Sequence, residues 1–159
     1  MKEKIHMHRY ERIWLMFGGG TLVVFLVVLF ILAFWMGMTP PSDMQVVNAA
    51  EVDKTPPFDK PGLHQVGPHE YDAVMIGFVF GFNPNVLEVP AGSTVNFKLT
   101  SKDVVHGFEI AGTNVNLMLL PGHVNTISYT FEKPGEYLAV CNEYCGTGHQ
   151  FMSAKIIVK

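Results

Sequence analysis

A chain of 159 residues has room for one modest domain plus a short extra segment. Apolar residues make up 48% of it and the mean hydropathy is +0.23, high for a wholly soluble chain, with the excess at one end. The formal net charge of −3 offers no basic patch, so nucleic acid is not a partner class that the composition supports.

Residues 1–12 form a short N-terminal segment in which Lys2, Lys4, Arg9 and Arg12 stand against Glu3 and Glu11. From Ile13 to Met36 there is no charged residue, and Trp14 and Trp35 sit near the two ends. At about 1.5 Å per residue such a run crosses a hydrocarbon core roughly 30 Å thick, and amphipathic aromatics favour its interfaces. A cleaved signal would have an apolar region of about 7 to 15 residues. The longer run predicts a retained transmembrane helix over 13–38. The bases lie before it, and Asp43, Glu51 and Asp53 follow it before any lysine. The positive-inside rule therefore predicts a cytoplasmic N-terminus and an outer, periplasmic-side domain at the cell membrane. Glu11 reads as a solvated helix-end charge. Gly18, Gly19 and Gly20 are either tolerated helix glycines or a close-approach face for a partner helix.

Residues 39–62 carry Pro40, Pro41, Pro56, Pro57 and Pro61 among polar residues, which predicts an extended, stiff linker. From about Leu63 the apolar period becomes two. Val95, Phe97 and Leu99 alternate with polar residues, as do Ile127, Tyr129 and Phe131. Further strands are expected over 72–82, 85–89, 104–110, 115–120, 136–141 and 153–158. Ala91-Gly92, Ala111-Gly112, Pro121-Gly122 and Pro134-Gly135 supply turns between them. Many short strands with regular turns predict an all-β Greek-key sandwich over 63–159. Alternation of Phe78, Phe80 and Phe82 predicts one buried strand face, with an exposed docking patch as the lesser reading. From Thr39 onward twelve acids face seven lysines, a balance of −5 that suits a cationic protein partner or any soluble domain.

The chemistry is concentrated in Cys141-Asn142-Glu143-Tyr144-Cys145-Gly146-Thr147-Gly148-His149-Gln150-Phe151-Met152. Two thiols, an imidazole and a thioether within twelve residues, on a loop between two expected strands, form a soft donor set. Zinc accepts Cys and His but rarely Met, so the set points to copper. A second histidine has to come from elsewhere. His6 and His8 precede the apolar run, and His64, His69 and His123 read as solvated. His106, between Val105 and Gly107 at the end of an apolar stretch, is the best candidate. One thiolate, His106, His149 and Met152 would satisfy a blue-copper site, leaving Cys141 as a surplus thiolate. Two thiolates can instead bridge two coppers, each with one histidine, with Met152 on one and the Glu143 carbonyl on the other. A local Cys141–Cys145 disulfide is the third possibility.

This loop resembles the dinuclear copper (CuA) motif of cytochrome c oxidase subunit II. Val105-His106-Gly107-Phe108, the stretch from Phe78 to Gly92, and Pro134-Gly135-Glu136-Tyr137 resemble that family as well. The single apolar run is similar to the ba-type branch of haem–copper oxidases. The resemblance implies a cupredoxin-like fold and a dinuclear copper site. It implies His106, Cys141, Cys145, His149 and Met152 as side-chain ligands and Glu143 as a carbonyl ligand. It also implies electrons arriving from a cytochrome c and leaving to a haem in subunit I, where oxygen is reduced. Phenylalanines stand where many members have tryptophans that receive the electron. Many members hold a magnesium on the glutamate between the cysteines, here Glu143. In ba-type oxidases a glutamate placed like Glu11 lies near the mouth of a proton pathway. Three other functions compete: a membrane-anchored copper chaperone or thiol–disulfide protein, a quinol-oxidase subunit, and the copper module of a nitric or nitrous oxide reductase. The first would carry its Cys pair at a strand-to-helix turn of a thioredoxin-like fold, and the second would lack the copper ligands.

Overall fold

The computed structural model describes residues 8–36 and 45–159. His6, the first bases, and the expected anchor end and linker start over 37–44 lie outside the described residues. Chain contacts divide the protein into two units, 1–40 and 41–159.

The first unit is one helix, α1 (Arg9–Phe30), which continues as a single π-helical turn over Ile31–Trp35. Together they span 27 residues, about 40 Å at 1.5 Å per residue. No side chain of α1 is buried, and large apolar residues are exposed all around it. A helix apolar on every face needs a bilayer or a partner around it. The helix begins before the expected 13–38 run, at Arg9, because the first turn is satisfied locally: the Glu11 carboxylate accepts the His8 N–H at 3.3 Å. Within the apolar run the Thr21 hydroxyl donates to the Phe17 carbonyl at 2.9 Å, so it carries no bare donor.

The second unit is an all-β, cupredoxin-like sandwich of ten strands. They are β1 (Gly62–Gly67), β2 (Glu70–Phe78), β3 (Gly81–Asn83), β4 (Val86–Val89), β5 (Ser93–Ser101), β6 (His106–Ile110), β7 (Asn116–Leu119), β8 (Asn125–Phe131), β9 (Gly135–Val140) and β10 (Ser153–Val158). One sheet runs β1-β2-β5-β8 with β3 on β2, and the other runs β4-β10-β9-β6-β7. Parallel pairs β2·β5 and β4·β10 interrupt otherwise antiparallel ladders, since the chain crosses between the sheets. Gly92 and Gly112, at φ of 77° and 79°, take the left-handed conformation that the Ala-Gly turns require. The main core lies between the sheets, where Phe97, Phe108, Phe131, Leu99, Ile110 and Ile156 are fully buried. Phe82 and Phe97 meet Phe108, and Phe131 meets Phe97, Tyr129 and Tyr137, at centroid separations of 4.8–6.3 Å.

Strand β2 is buried on both faces. Ala73 and Met75 point into the main core, and Val74 and Ile76 point into a second cluster with Val52, Phe58 and Val124. Alternation along a strand explains the split, and the unbroken apolar run Ala73–Ile76 is its sequence trace. The second cluster corrects the expectation of an extended linker. From 45 to 62 the chain packs onto the sandwich through a short 3₁₀ helix (Ala49–Lys54), with Val46 bridging to His123 and Asp53 ion-paired with Lys102. Proline stiffness does not oppose this packing, because apolar side chains between the prolines still find a partner surface.

A second correction concerns Phe78, Phe80 and Phe82. The chain turns at Val79–Phe80 to start β3, so no single strand spans 72–82. Phe82 is 3% exposed, whereas Phe78 and Phe80 are 38% and 41% exposed. The single buried face expected from alternation is therefore absent.

Candidate metal centre

The Cys141–Met152 loop leaves β9 and returns as β10, and its ends are joined by the Cys141 N–H donating to the Met152 carbonyl at 3.1 Å. A 3₁₀ turn over His149–Phe151 brings the chain back. The sulfur atoms of Cys141, Cys145 and Met152 belong to the main core cluster. His106, at the start of β6, is fully buried beside them.

The structure gathers the residues singled out in the sequence. The two Sγ atoms are 3.8 Å apart and unbonded, so no disulfide joins them. His106 Nδ1 lies 4.0 Å from Cys141 Sγ, and the Glu143 carbonyl oxygen lies 3.2 Å from the same sulfur. On the other side, Cys145 Sγ is 3.6 Å from His149 Nδ1 and 3.7 Å from Met152 Sδ. The donor atoms of His106, Cys141 and Cys145 lie within 4.8 Å of one another, and His149 and Met152 join them through Cys145. His64, His69 and His123 are exposed, as the sequence reading expects, and so is His8.

Asp103 escaped the sequence reading. Its Oδ1 lies 2.8 Å from His106 Nε2 and accepts the Val104 N–H, while its Oδ2 accepts the Val79 N–H. Burial alone would raise this carboxyl. The hydrogen bonds from His106, Val79 and Val104 outweigh burial and hold it below the ordinary carboxylate range. A carboxylate at Nε2 leaves Nδ1 with a free lone pair, turned toward the sulfurs. The sequence signal was an acid three residues before a buried histidine. The sequence reading named Phe80 but not its place against the loop: its ring lies so close over Gly146 and Gly148 that a side chain at Gly148 would meet it at 2.4 Å.

Two thiols, a thioether, two imidazoles and one carbonyl fit copper and suit neither magnesium nor calcium. Without metal, burial, and after it the neighbouring Cys141, push the Cys145 thiol up to about 11. That proton is therefore present at neutral pH and has to leave on metal loading. Apparent copper affinity should rise with pH, by about tenfold per unit for this proton. Chelator competition at pH 6, 7 and 8 checks this, and a flat profile would contradict it.

The chain is 42% identical to a cytochrome c oxidase subunit 2 of Thermus thermophilus over 154 residues, covering 94% of this chain and 92% of that one. It belongs to the cytochrome c oxidase subunit II family. Another subunit 2 from Thermus thermophilus is 45% identical over 125 residues, covering 77% of this chain and 93% of its own. The family model described as cytochrome c oxidase subunit II, periplasmic domain, matches residues 81–159, from β3 to the last residue of the chain. A chain from the cryo-EM structure of a heme-copper terminal oxidase dimer is 34% identical, with a TM-score of 0.77, and the match covers 95% of this subunit II chain and all of that one.

Proposed function

We propose that this chain is the subunit through which electrons enter a haem–copper terminal oxidase. His106, Cys141, Cys145, His149, Met152 and the Glu143 carbonyl hold a dinuclear copper centre. The chain sits in the cell membrane with its N-terminus cytoplasmic and its sandwich outside. A cytochrome c donates electrons one at a time, and they pass to a haem of subunit I, where oxygen is reduced. Residues 1–12, 13–38, 39–62 and 63–159 serve as cytoplasmic segment, membrane helix, connecting segment and copper domain.

The convergence of two unbonded thiols, 3.8 Å apart, with two imidazole nitrogens, a thioether and a carbonyl carries this reading. When bound, a thiolate-bridged copper pair would supply a one-electron site whose charge is shared between two nuclei. The residues' part is to hold that site still. Asp103 fixes the His106 ring, the backbone bond from Cys141 to Met152 closes the loop, and the sandwich core packs around the sulfurs. The acidic balance of the outer unit favours a cationic donor.

The test is to load the full-length chain with copper in detergent under mild reductant, then measure metal per chain and the electron paramagnetic resonance spectrum. Two coppers, with splitting from both nuclei, are expected. One copper with a single-nucleus spectrum would instead indicate a blue-copper site. No tight copper, with a cycling Cys141–Cys145 disulfide, would indicate thiol exchange.

Met152→Leu should retain both coppers and shift the reduction potential, because the weak thioether donor tunes it. A tenfold shift in the one-electron equilibrium is about 60 mV, and the change should be on that order. Voltammetry checks it, and loss of all copper would contradict a role for Met152 limited to tuning the potential.

A further inference from the structure

Asn142 follows the first thiol and lies on the solvent side of the loop, where an asparagine would ordinarily hydrogen-bond to water. Here both amide hydrogens are taken. Asn142 Nδ2 donates to Glu109 Oε2 at 3.0 Å and to Asn116 Oδ1 at 3.1 Å. Those acceptors come from directly paired residues of β6 and β7, so they stand side by side.

With Nδ2 fixed, Oδ1 is turned onto Gly107. A Cβ at that position would lie 1.8 Å from Asn142 Oδ1 and 2.9 Å from the Asn142 backbone nitrogen. Nothing larger than glycine fits between β6 and the loop. This close approach lets the Gly107 N–H donate to Cys141 Sγ at 3.4 Å, in a buried setting. Among the described residues, Cys145 Sγ lies near Cys141 Sγ, His149 Nδ1 and Met152 Sδ, and the backbone N–H that favours its thiolate is its own, from within the loop, with no counterpart to the Gly107 N–H reaching it from β6.

A hydrogen bond donated to a metal-bound thiolate draws charge from the sulfur and stabilises the more electron-rich state, which raises the reduction potential. Resting on the copper-centre reading above, we propose that Asn142 is a positioning residue: clamped by Glu109 and Asn116, it holds the Gly107 N–H on the Cys141 sulfur, making the two thiolates unequal and raising the potential of the centre. Among the described residues, the Asn142 side chain hydrogen-bonds to Glu109 and Asn116 and to no metal-ligand side chain, so it acts through Gly107.

The experiment compares copper-loaded full-length chains in detergent: wild type, Asn142→Ala and Glu109→Gln. The readouts are copper per chain, reduction potential, and the paramagnetically shifted Cβ-proton signals of each cysteine. Asn142→Ala should keep the full copper content and lower the potential. Its Cys141 signals should move while those of Cys145 hold. Glu109→Gln keeps an acceptor for Nδ2 and should retain the wild-type cysteine pattern. A wild type with one copper overturns the dinuclear reading and this proposal with it. With two coppers in the wild type, three results overturn the clamp alone. These are an unchanged potential and pattern in Asn142→Ala, an equal shift of both cysteines, and a Glu109→Gln pattern matching that of Asn142→Ala.

Discussion

Cys141→Ser is expected to cut copper binding from two ions per chain to at most one. A serine hydroxyl is a hard donor and stays protonated at neutral pH, so it replaces neither the charge nor the softness of a bridging thiolate. The substitution also removes the sulfur that faces His106 Nδ1, the Glu143 carbonyl and the Gly107 N–H. What remains around Cys145 is His149 and Met152, with His106 nearby, the donor set of a single blue-copper ion. Copper analysis should show the drop, and the paramagnetic spectrum should simplify to splitting from one nucleus. An unchanged two-nucleus spectrum would take Cys141 out of the ligand set.

Phe58→Ala is expected to destabilise the sandwich by about 3–5 kcal/mol, in the range measured for deleting a buried phenylalanine side chain. Phe58 is fully buried and, with Val52, fills the second cluster against Val74, Ile76 and Val124. The unfolding midpoint, followed by circular dichroism, should fall by more than about 10 °C. The nearby Lys102–Asp53 ion pair is exposed, and losing it should cost little. A shift of only a degree or two in Phe58→Ala would mean that the segment over 45–62 contributes little to the fold.

The sequence was most informative where the determinants are local. Cys141, Glu143, Cys145, His149 and Met152 lie on one loop, so their spacing alone announces a soft site. The strands with strict alternation, β5 and β8, were equally plain, since one face of each meets the core. Strand β2 was harder. Its unbroken apolar run reflects a second partner, Val52 and Phe58, that lies among prolines and has no periodicity of its own. The turn at Val79–Phe80 was hidden because apolar residues continue through it, Phe80 being held by packing against Gly146 and Gly148. His106 stood out only modestly by context, since its partner Asp103 and its neighbour Cys141 are assembled by the fold. Asn142 offered no signal, because its clamp depends on the register between β6 and β7.

The placement of Cys141, Cys145 and Met152 inside the main apolar core has a kinetic consequence. Close-packed interiors resist displacement, so these sulfur atoms cannot follow each change of charge with a large movement. For an electron hopping between separated centres, the nuclear rearrangement demanded at each hop sets much of the barrier. A cage built into the hydrophobic interior keeps that rearrangement small. The packing that stabilises the sandwich thus also favours rapid transfer under a modest driving force.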